Sequence, residues 1–277
     1  MKITTLLENT TEDPRLTPKH GISLYVETQD RKILFDTGPD DTFICNAQTL
    51  GIDLADVDLA LISHGHYDHG GGLEHFLNIN SKAKVLLKDS ALGSFYARIF
   101  HVIKKQIGLN FGNGDHPRLR LISGNSKIDD NLEVITDFSK PGFIPAGNKS
   151  LFKKGGSGRL VPDDFAHEIC LVLKSGGKTI LFTGCSHSGL GNIMKSVKKD
   201  TGYGEFDMVI GGFHLYNPVL KKTESRARMD LFLEEISAFG KPIFYTGHCT
   251  GQQAFEYMAG ETGGQVKPFR TGTVIEA

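Results

Sequence analysis

Ser63-His64-Gly65-His66-Tyr67-Asp68-His69-Gly70-Gly71-Gly72 is the stretch from which the rest of the chain is read. Three imidazoles and one carboxylate, His64, His66, Asp68 and His69, fall within six positions. All four are ligand types for Zn²⁺ and for Fe or Mn. The apolar run Val57–Ile62 precedes them directly and reads as a strand buried on both faces. The cluster therefore sits at a strand's C-terminal end, where loops of α/β architectures carry function. His64 and His66, at i and i+2, leave the turn on the same side and can grip one ion. Asp68 and His69 then point to a second position nearby. The glycines let the backbone bend tightly and come close to the ions. Four ligands at this density are too many for chance in a chain with 11 His.

Outward from this stretch, short apolar runs alternate with Gly and Asp punctuation. Met1–Leu7 reads as a strand. Ile22–Thr28 and Ile33–Asp36 flank the polar turn Gln29-Asp30-Arg31-Lys32 and read as a hairpin. Lys84–Leu87 is a further short strand. In Ala91–Ile107, residues Phe95, Tyr96, Ile99, Phe100, Ile103 and Ile107 recur at helical spacing, with Arg98, Lys104 and Lys105 between them, so the segment is expected to be an amphipathic helix. Residues 91–158 read as an irregular, partly helical insertion, with short strands at Leu119–Ile122 and Leu132–Thr136. Downstream, Glu168–Leu173 and Thr179–Phe182 form a second hairpin. Helices are expected over Gly189–Lys199, Thr223–Phe239 and Gln252–Ala259, with strands at Phe206–Ile210 and Pro242–Tyr245, and Val266–Val274 closes the chain. Two halves, each with strands first and helices later, suggest one domain of two packed sheets with helices outside.

Composition narrows the class. The 277 residues carry 31 Lys+Arg and 32 Asp+Glu, a net charge of −1, and 39% are hydrophobic. That is an ordinary globular chain without the basic footprint of a nucleic-acid binder. No apolar stretch reaches the ~20 residues of a membrane span. Glu8 interrupts the N-terminus too early for the apolar core of a signal peptide. The four cysteines, Cys45, Cys170, Cys185 and Cys249, form no CxxC pair and no disulfide framework, so a reducing cytoplasm is expected. Gly is in excess, 33 residues, and much of the excess lies beside His. His64, His66, His69, His187, His214 and His248, six of the 11 His, stand among these glycines at four strand ends. His20, His75, His101 and His116 have no such partners in sequence and read as surface or satisfied histidines.

The pattern His64-x-His66-x-Asp68-His69 after an apolar strand resembles the signature of the metallo-β-lactamase superfamily. Ile33-Leu34-Phe35-Asp36-Thr37-Gly38 resembles that superfamily's first motif, whose Asp supports the metal site from behind. The resemblance covers nearly the whole chain. It implies an α+β fold, the four-layer αββα sandwich, with a dinuclear metal site at one edge. Thr179-Ile180-Leu181-Phe182-Thr183-Gly184 resembles the strand that usually ends in a metal-bridging Asp, but Cys185 stands there, as a possible metal ligand or supporting residue. The turn that usually supplies a third His is also missing. We assign that ligand to His187, at a strand's end beside glycine, with His167 as the alternative. Phe244-Tyr245-Thr246-Gly247-His248 resembles the motif of the final metal His, so His248 would complete the second site. Val209-Ile210-Gly211-Gly212-Phe213-His214 ends another strand, and His214 is a candidate ligand or substrate-facing residue. Thr250 and Gly251, before a helix, are candidate substrate contacts.

Together these motifs resemble one branch of the superfamily, whose members are called synthases of 7,8-dihydropterin-6-ylmethyl-4-(β-D-ribofuranosyl)aminobenzene 5′-phosphate. The resemblance implies a metal-dependent enzyme, either a hydrolase or a pterin-linked transferase, acting on a small phosphorylated or ester substrate. His64, His66 and His187 would hold one divalent ion, and Asp68, His69 and His248 the other, with zinc favoured over Fe or Mn. Asp68, Asp36 and His214 are the expected catalytic residues. The near-zero charge fits a small anionic substrate met by metal ions, with no nucleic acid and no membrane, and the Ala91–Ile107 segment offers a lid or a homodimer contact. The departure at Cys185 keeps a second reading open, a metal-binding sensor or redox protein with little turnover.

Overall fold

The computed structural model describes residues 1–99, 103–111, 114–203 and 205–277. The chain divides into two compact units. The first comprises Met1–Ser94, Ile107–Ser123 and Phe269–Ala277, and the second Phe95–Gln106 and Gly124–Pro268.

The first unit is built on a seven-stranded sheet in the order Val274–Glu276, Lys2–Leu7, Ser23–Glu27, Lys32–Phe35, Leu59–Ile62, Lys84–Lys88 and Leu119–Ile122. The Ser23–Glu27 and Lys32–Phe35 hairpin falls where the polar turn places it. From Lys32–Phe35 onward the neighbours run parallel. Parallel strands buried on both faces should be apolar throughout, and Leu59–Ile62 is buried at every position. The helices Thr42–Thr49 and Leu73–Ile79 bring Phe43, Ala47, Leu73 and Phe76 onto Leu34, Ala60, Ile62, Val85 and Leu87. Each such fully buried large side chain stabilises the unit by about 1.5–3 kcal/mol relative to exposure.

Parallel pairing does one more thing. Ile33 pairs with Leu59 and Phe35 with Leu61, so both strands end level. Asp36 and Ser63 therefore leave the sheet side by side, and the Asp36 N–H donates to the Leu61 carbonyl at 2.8 Å.

In the second unit another seven-stranded sheet runs in the order Val266–Pro268, Ile243–Thr246, Met208–Ile210, Lys178–Phe182, Cys170–Ser175, Leu132–Ile135 and Ser126–Asp129. The four strands from Lys178–Phe182 to Val266–Pro268 are parallel. Their C-terminal ends thus share one edge of the sheet. Helices Leu190–Thr201, Arg226–Ser237 and Gln252–Glu261 cover the core with Ile193, Met194, Val197, Met229, Phe232, Ile236, Ala254 and Met258. Leu190–Thr201 is stopped by Gly202, which takes the left-handed conformation at φ 73°.

The expected amphipathic helix over Ala91–Ile107 does not form. The strands Phe95–Ile99 and Ile103–Gln106 stand there instead as an antiparallel pair. They belong to a four-stranded sheet with Leu151–Lys154 and Leu160–Pro162. The burial alternates, with Phe95 and Ala97 buried while Tyr96 and Arg98 are partly exposed. Aromatic and β-branched residues suit such a pleated surface, and Arg98 lies over the Phe152 ring at 4.0 Å. Three residues of that expectation, Phe100, His101 and Val102, lie outside the described residues. Leu119–Ile122 ends the first unit's sheet, while Ser126–Asp129 and Leu132–Ile135 end the second's. Among the described residues no helix is long and apolar enough to cross a membrane.

Candidate metal centre

In the first unit, the level strand ends place Asp36 against the His64–His69 turn. Asp36 is fully buried, and its backbone takes φ 60°, a left-handed conformation that Asp tolerates better than most residues. Its carboxylate accepts three hydrogen bonds. Oδ1 accepts from the Ser63 N–H at 2.7 Å, and Oδ2 accepts from the Ser63 hydroxyl at 2.7 Å. The His69 ring nitrogen Nδ1 also stands 2.7 Å from Oδ2. A carboxylate only accepts, so Nδ1 of His69 carries the proton and Nε2 keeps its lone pair. The Ser63 hydroxyl has donated its one proton to Asp36. It can therefore only accept from Nδ1 of His64, 3.0 Å away, which leaves Nε2 of His64 as the lone-pair nitrogen.

That Nε2 stands 3.0 Å from Nδ1 of His66. Two nitrogens bound to one zinc at about 2.0–2.1 Å in a tetrahedron would lie roughly 3.3 Å apart. The observed pair is close to that spacing, and both rings are buried. The rings of His64 and His69 approach with centroids 4.1 Å apart. The donor set, its burial and its carboxylate support thus fit a divalent ion. Asp68 stands apart from Asp36 and pairs instead with His20, Oδ2 to Nε2 at 3.2 Å. His20, which reads from sequence as a surface or satisfied histidine, is brought to Asp68 only by the fold.

Gly71 and Gly72 serve this turn by close approach. A Cβ on Gly71 would meet the Pro39 carbonyl at 2.3 Å, and one on Gly72 would meet the Thr37 carbonyl at 2.5 Å.

In the second unit, three neighbouring parallel strands deliver the other candidates to one sheet edge. Lys178–Phe182 leads to Cys185 and His187, Met208–Ile210 to His214, and Ile243–Thr246 to His248 and Cys249. Ser186, His214 and His248 have φ of 56°, 49° and 50°. Each such non-glycine residue stores about 1–3 kcal/mol, a cost that gathers at functional sites. The bends are held by side chains. The Ser186 hydroxyl donates to the Gly212 carbonyl at 2.7 Å, and the His214 N–H donates to Cys249 Sγ at 3.3 Å.

Cys185, His214 and Cys249 place one donor atom each within 4.8 Å of the others, all buried. Burial pushes the Cys249 thiol up, but contacts with Cys185 and His214 and the charge of His248 bring it well below the ordinary thiol range. The His187 and His214 rings lie with centroids 4.2 Å apart, and Phe165 stacks on His187 at 4.4 Å. The alternative, His167, has Nε2 at 3.1 Å from Asp163 and its ring against Phe95.

Thr250 is fully buried, and its hydroxyl accepts from the Phe213 N–H at 2.9 Å and meets the Thr246 hydroxyl at 2.6 Å. Gly251 has φ 75° and abuts Tyr216. Two residues that sequence reasoning missed hold His187. Buried Glu168 accepts the N–H groups of His187 and Ser188, each at 2.8 Å. Asn148 contacts both the ring and the carbonyl of His187.

A family model described as the metallo-beta-lactamase superfamily matches residues 16–231. A Methanocaldococcus jannaschii protein named 7,8-dihydropterin-6-methyl-4-(beta-D-ribofuranosyl)-aminobenzene-5'-phosphate synthase is 26% identical over 93% of this chain and 90% of its own. An uncharacterized protein of the same organism is 31% identical over 76% of this chain and 78% of its own. A crystal structure of a metal-dependent hydrolase of the beta-lactamase superfamily aligns with a TM-score of 0.83 at 28% identity, covering 100% of this chain and 99% of that one. The α+β fold expected from the motifs is therefore the fold of this chain.

Proposed function

Because the chain belongs to the metallo-β-lactamase superfamily, an enzyme family that is metal-dependent, we propose that it uses a dinuclear centre to act on a small anionic ester or phosphorylated substrate. The observation that carries this reading is the buried Asp36–Ser63–His64–His69 network, with the Nε2 of His64 converging on Nδ1 of His66 at 3.0 Å. We propose His64, His66, Asp68 and His69 as ligands from the first unit. From their sequence motifs, His187 and His248 are proposed as the remaining ones. The histidine-rich donor set favours zinc, with Fe or Mn as the competing ions.

Divalent ions held there would supply Lewis acidity and acidify a water toward neutral pH. The protein's own part is positional. Asp36 holds the Nδ1 proton of His69 and so keeps its Nε2 available. Asp68 Oδ2 and His20 Nε2, 3.2 Å apart, offer a route for a proton toward solvent, because His20 is partly exposed. His214 is proposed to face the substrate. The near-balanced charge supports a small molecule over a nucleic acid. The synthase among the relatives supports a pterin-linked transfer as the finer reading.

Metal analysis of the purified protein and of His66→Ala tests the site, together with esters, phosphoesters and a dihydropterin acceptor as substrates. Loss of most bound metal in His66→Ala is expected, and full metal content in that variant would overturn the assignment. The buried Cys185, His214 and Cys249 group favours one other reading, a redox or sensor protein. Iron without turnover on any of these substrates would select it.

A further inference from the structure

The turn Ala146–Ser150 lies in the segment that sequence reading treats as an irregular insertion. Its Asn148 side chain makes two bonds to one residue. Nδ2 of Asn148 donates to the His187 carbonyl at 2.8 Å, and Oδ1 stands 3.0 Å from Nδ1 of His187. The first bond settles the second. A carbonyl oxygen only accepts, so the amide must turn its NH₂ toward it, which leaves Oδ1 facing the ring. Oδ1 also only accepts, so Nδ1 of His187 must carry the proton. The proton cannot then sit on Nε2, and the lone pair of the neutral ring is fixed there.

The surroundings support this pose of the ring. Phe165 stacks on it at 4.4 Å with the planes only 10° apart. Glu168 holds the main chain through the His187 and Ser188 N–H groups. The turn itself is anchored, since Asn217 donates to the Gly147 carbonyl and to the Ser150 hydroxyl. Gly147 admits the neighbouring ring, as a Cβ there would come within 2.9 Å of the His214 Nε2.

We propose that Asn148 is a positioning residue that fixes the Nδ1–H tautomer of His187 and so presents Nε2 as a metal ligand atom. The proposal rests on the reading of His187 as a ligand. It makes the Ala146–Ser150 turn part of the metal centre's support, in the way that partners behind a metal-binding imidazole fix its tautomer.

The test uses metal-free protein labelled with ¹⁵N in its histidine rings, with the His187 signals assigned by their absence in His187→Ala. Long-range ¹H–¹⁵N spectra at pH 8 should show His187 protonated at Nδ1. Asn148→Leu should lose that single tautomer and bind Zn²⁺ about 10- to 100-fold more weakly in competition with a fluorescent chelator. Asn148→Asp keeps an acceptor for Nδ1–H, so it should retain the tautomer and most of the affinity. Wild-type His187 protonated at Nε2 would overturn the proposal, as would Asn148→Leu with wild-type tautomer and affinity. If Asn148→Leu fails to fold, the wild-type tautomer and Asn148→Asp still decide. Undiminished Zn²⁺ binding by His187→Ala would overturn the ligand reading itself, and the ring spectra separate that failure from failure of the clamp.

Discussion

Replacing Asp36 with Asn tests whether the metal centre is set by proton placement rather than by shape. Asn is nearly isosteric and tolerates φ 60° as Asp does, so the backbone is left alone. The amide must keep its oxygen toward the Ser63 N–H, now 2.7 Å from Oδ1, because the opposite orientation sets donor against donor. The NH₂ then replaces Oδ2, which accepts from the Ser63 hydroxyl and from His69 Nδ1 at 2.7 Å. The hydroxyl can rotate and accept. Nδ1–H of His69 cannot, so the ring must move its proton to Nε2, the nitrogen proposed to bind metal. One charge-assisted hydrogen bond is lost, about 1.5–3 kcal/mol, partly offset because a buried carboxylate no longer has to be desolvated. Metal affinity should fall about 10- to 100-fold. Chelator competition measures the affinity, and urea unfolding of the metal-free protein measures the stability. Asp36→Ala should destabilise the metal-free protein further, since Ala pays about 1–2 kcal/mol to keep a left-handed backbone. Asp36→Asn binding zinc within about threefold of wild type would refute the argument.

Two other perturbations follow from the same geometry. Glu168→Ala leaves the His187 and Ser188 N–H groups buried without their 2.8 Å acceptors; a loss of about 3–5 kcal/mol is expected in urea unfolding, and a loss under 1 kcal/mol would contradict the role given to Glu168. The Tyr203 hydroxyl, which donates to Glu133, should ionise late, as burial and then the Glu133 bond push its pKa up to about 12. Its folded-state pKa is raised, so the stabilisation is fully present below pH 10 and is lost as pH rises toward 12. Absorbance titration at alkaline pH should show a late-ionising tyrosine that Tyr203→Phe removes.

How much of this was legible in the sequence depended on distance along the chain. His64, His66, Asp68 and His69 are contiguous and follow a strand that is buried at every position, so pattern and placement could be read together. Asp36 was legible from its motif, though its work, accepting from Ser63 and His69, belongs to the parallel register that levels the two strands. His20 reaches Asp68 from 48 positions upstream, and Asn148 reaches His187 across 39 residues. Neither bond leaves a trace in local spacing. Ala91–Ile107 failed for a different reason. Apolar residues three and four apart satisfy a helix, but they also satisfy two short strands paired with each other. The aromatic and β-branched residues then favoured the sheet, where Phe95 and Ala97 find a buried face.

The glycines show where the reading stopped short. Gly184, Gly211, Gly212 and Gly247 were taken as the sign of a site, and they do mark the sheet edge that carries Cys185, His187, His214 and His248. Yet three of the left-handed conformations there fall on Ser186, His214 and His248, none of them a glycine. The reason is chemical. A glycine would relieve the strain but could not donate from a hydroxyl, as Ser186 does to the Gly212 carbonyl, or offer an imidazole. The nearby glycines make room instead. A Cβ on Gly212 would meet Cys249 Sγ at 2.5 Å, and one on Gly211 would meet the Thr183 carbonyl at 2.1 Å. The strain, about 1–3 kcal/mol at each residue, is borne by Ser186, His214 and His248, while the glycines let the strand ends crowd together. A sequence displays the crowding as Gly-rich motifs, but which neighbour is strained depends on bonds that close only when the three strands lie side by side.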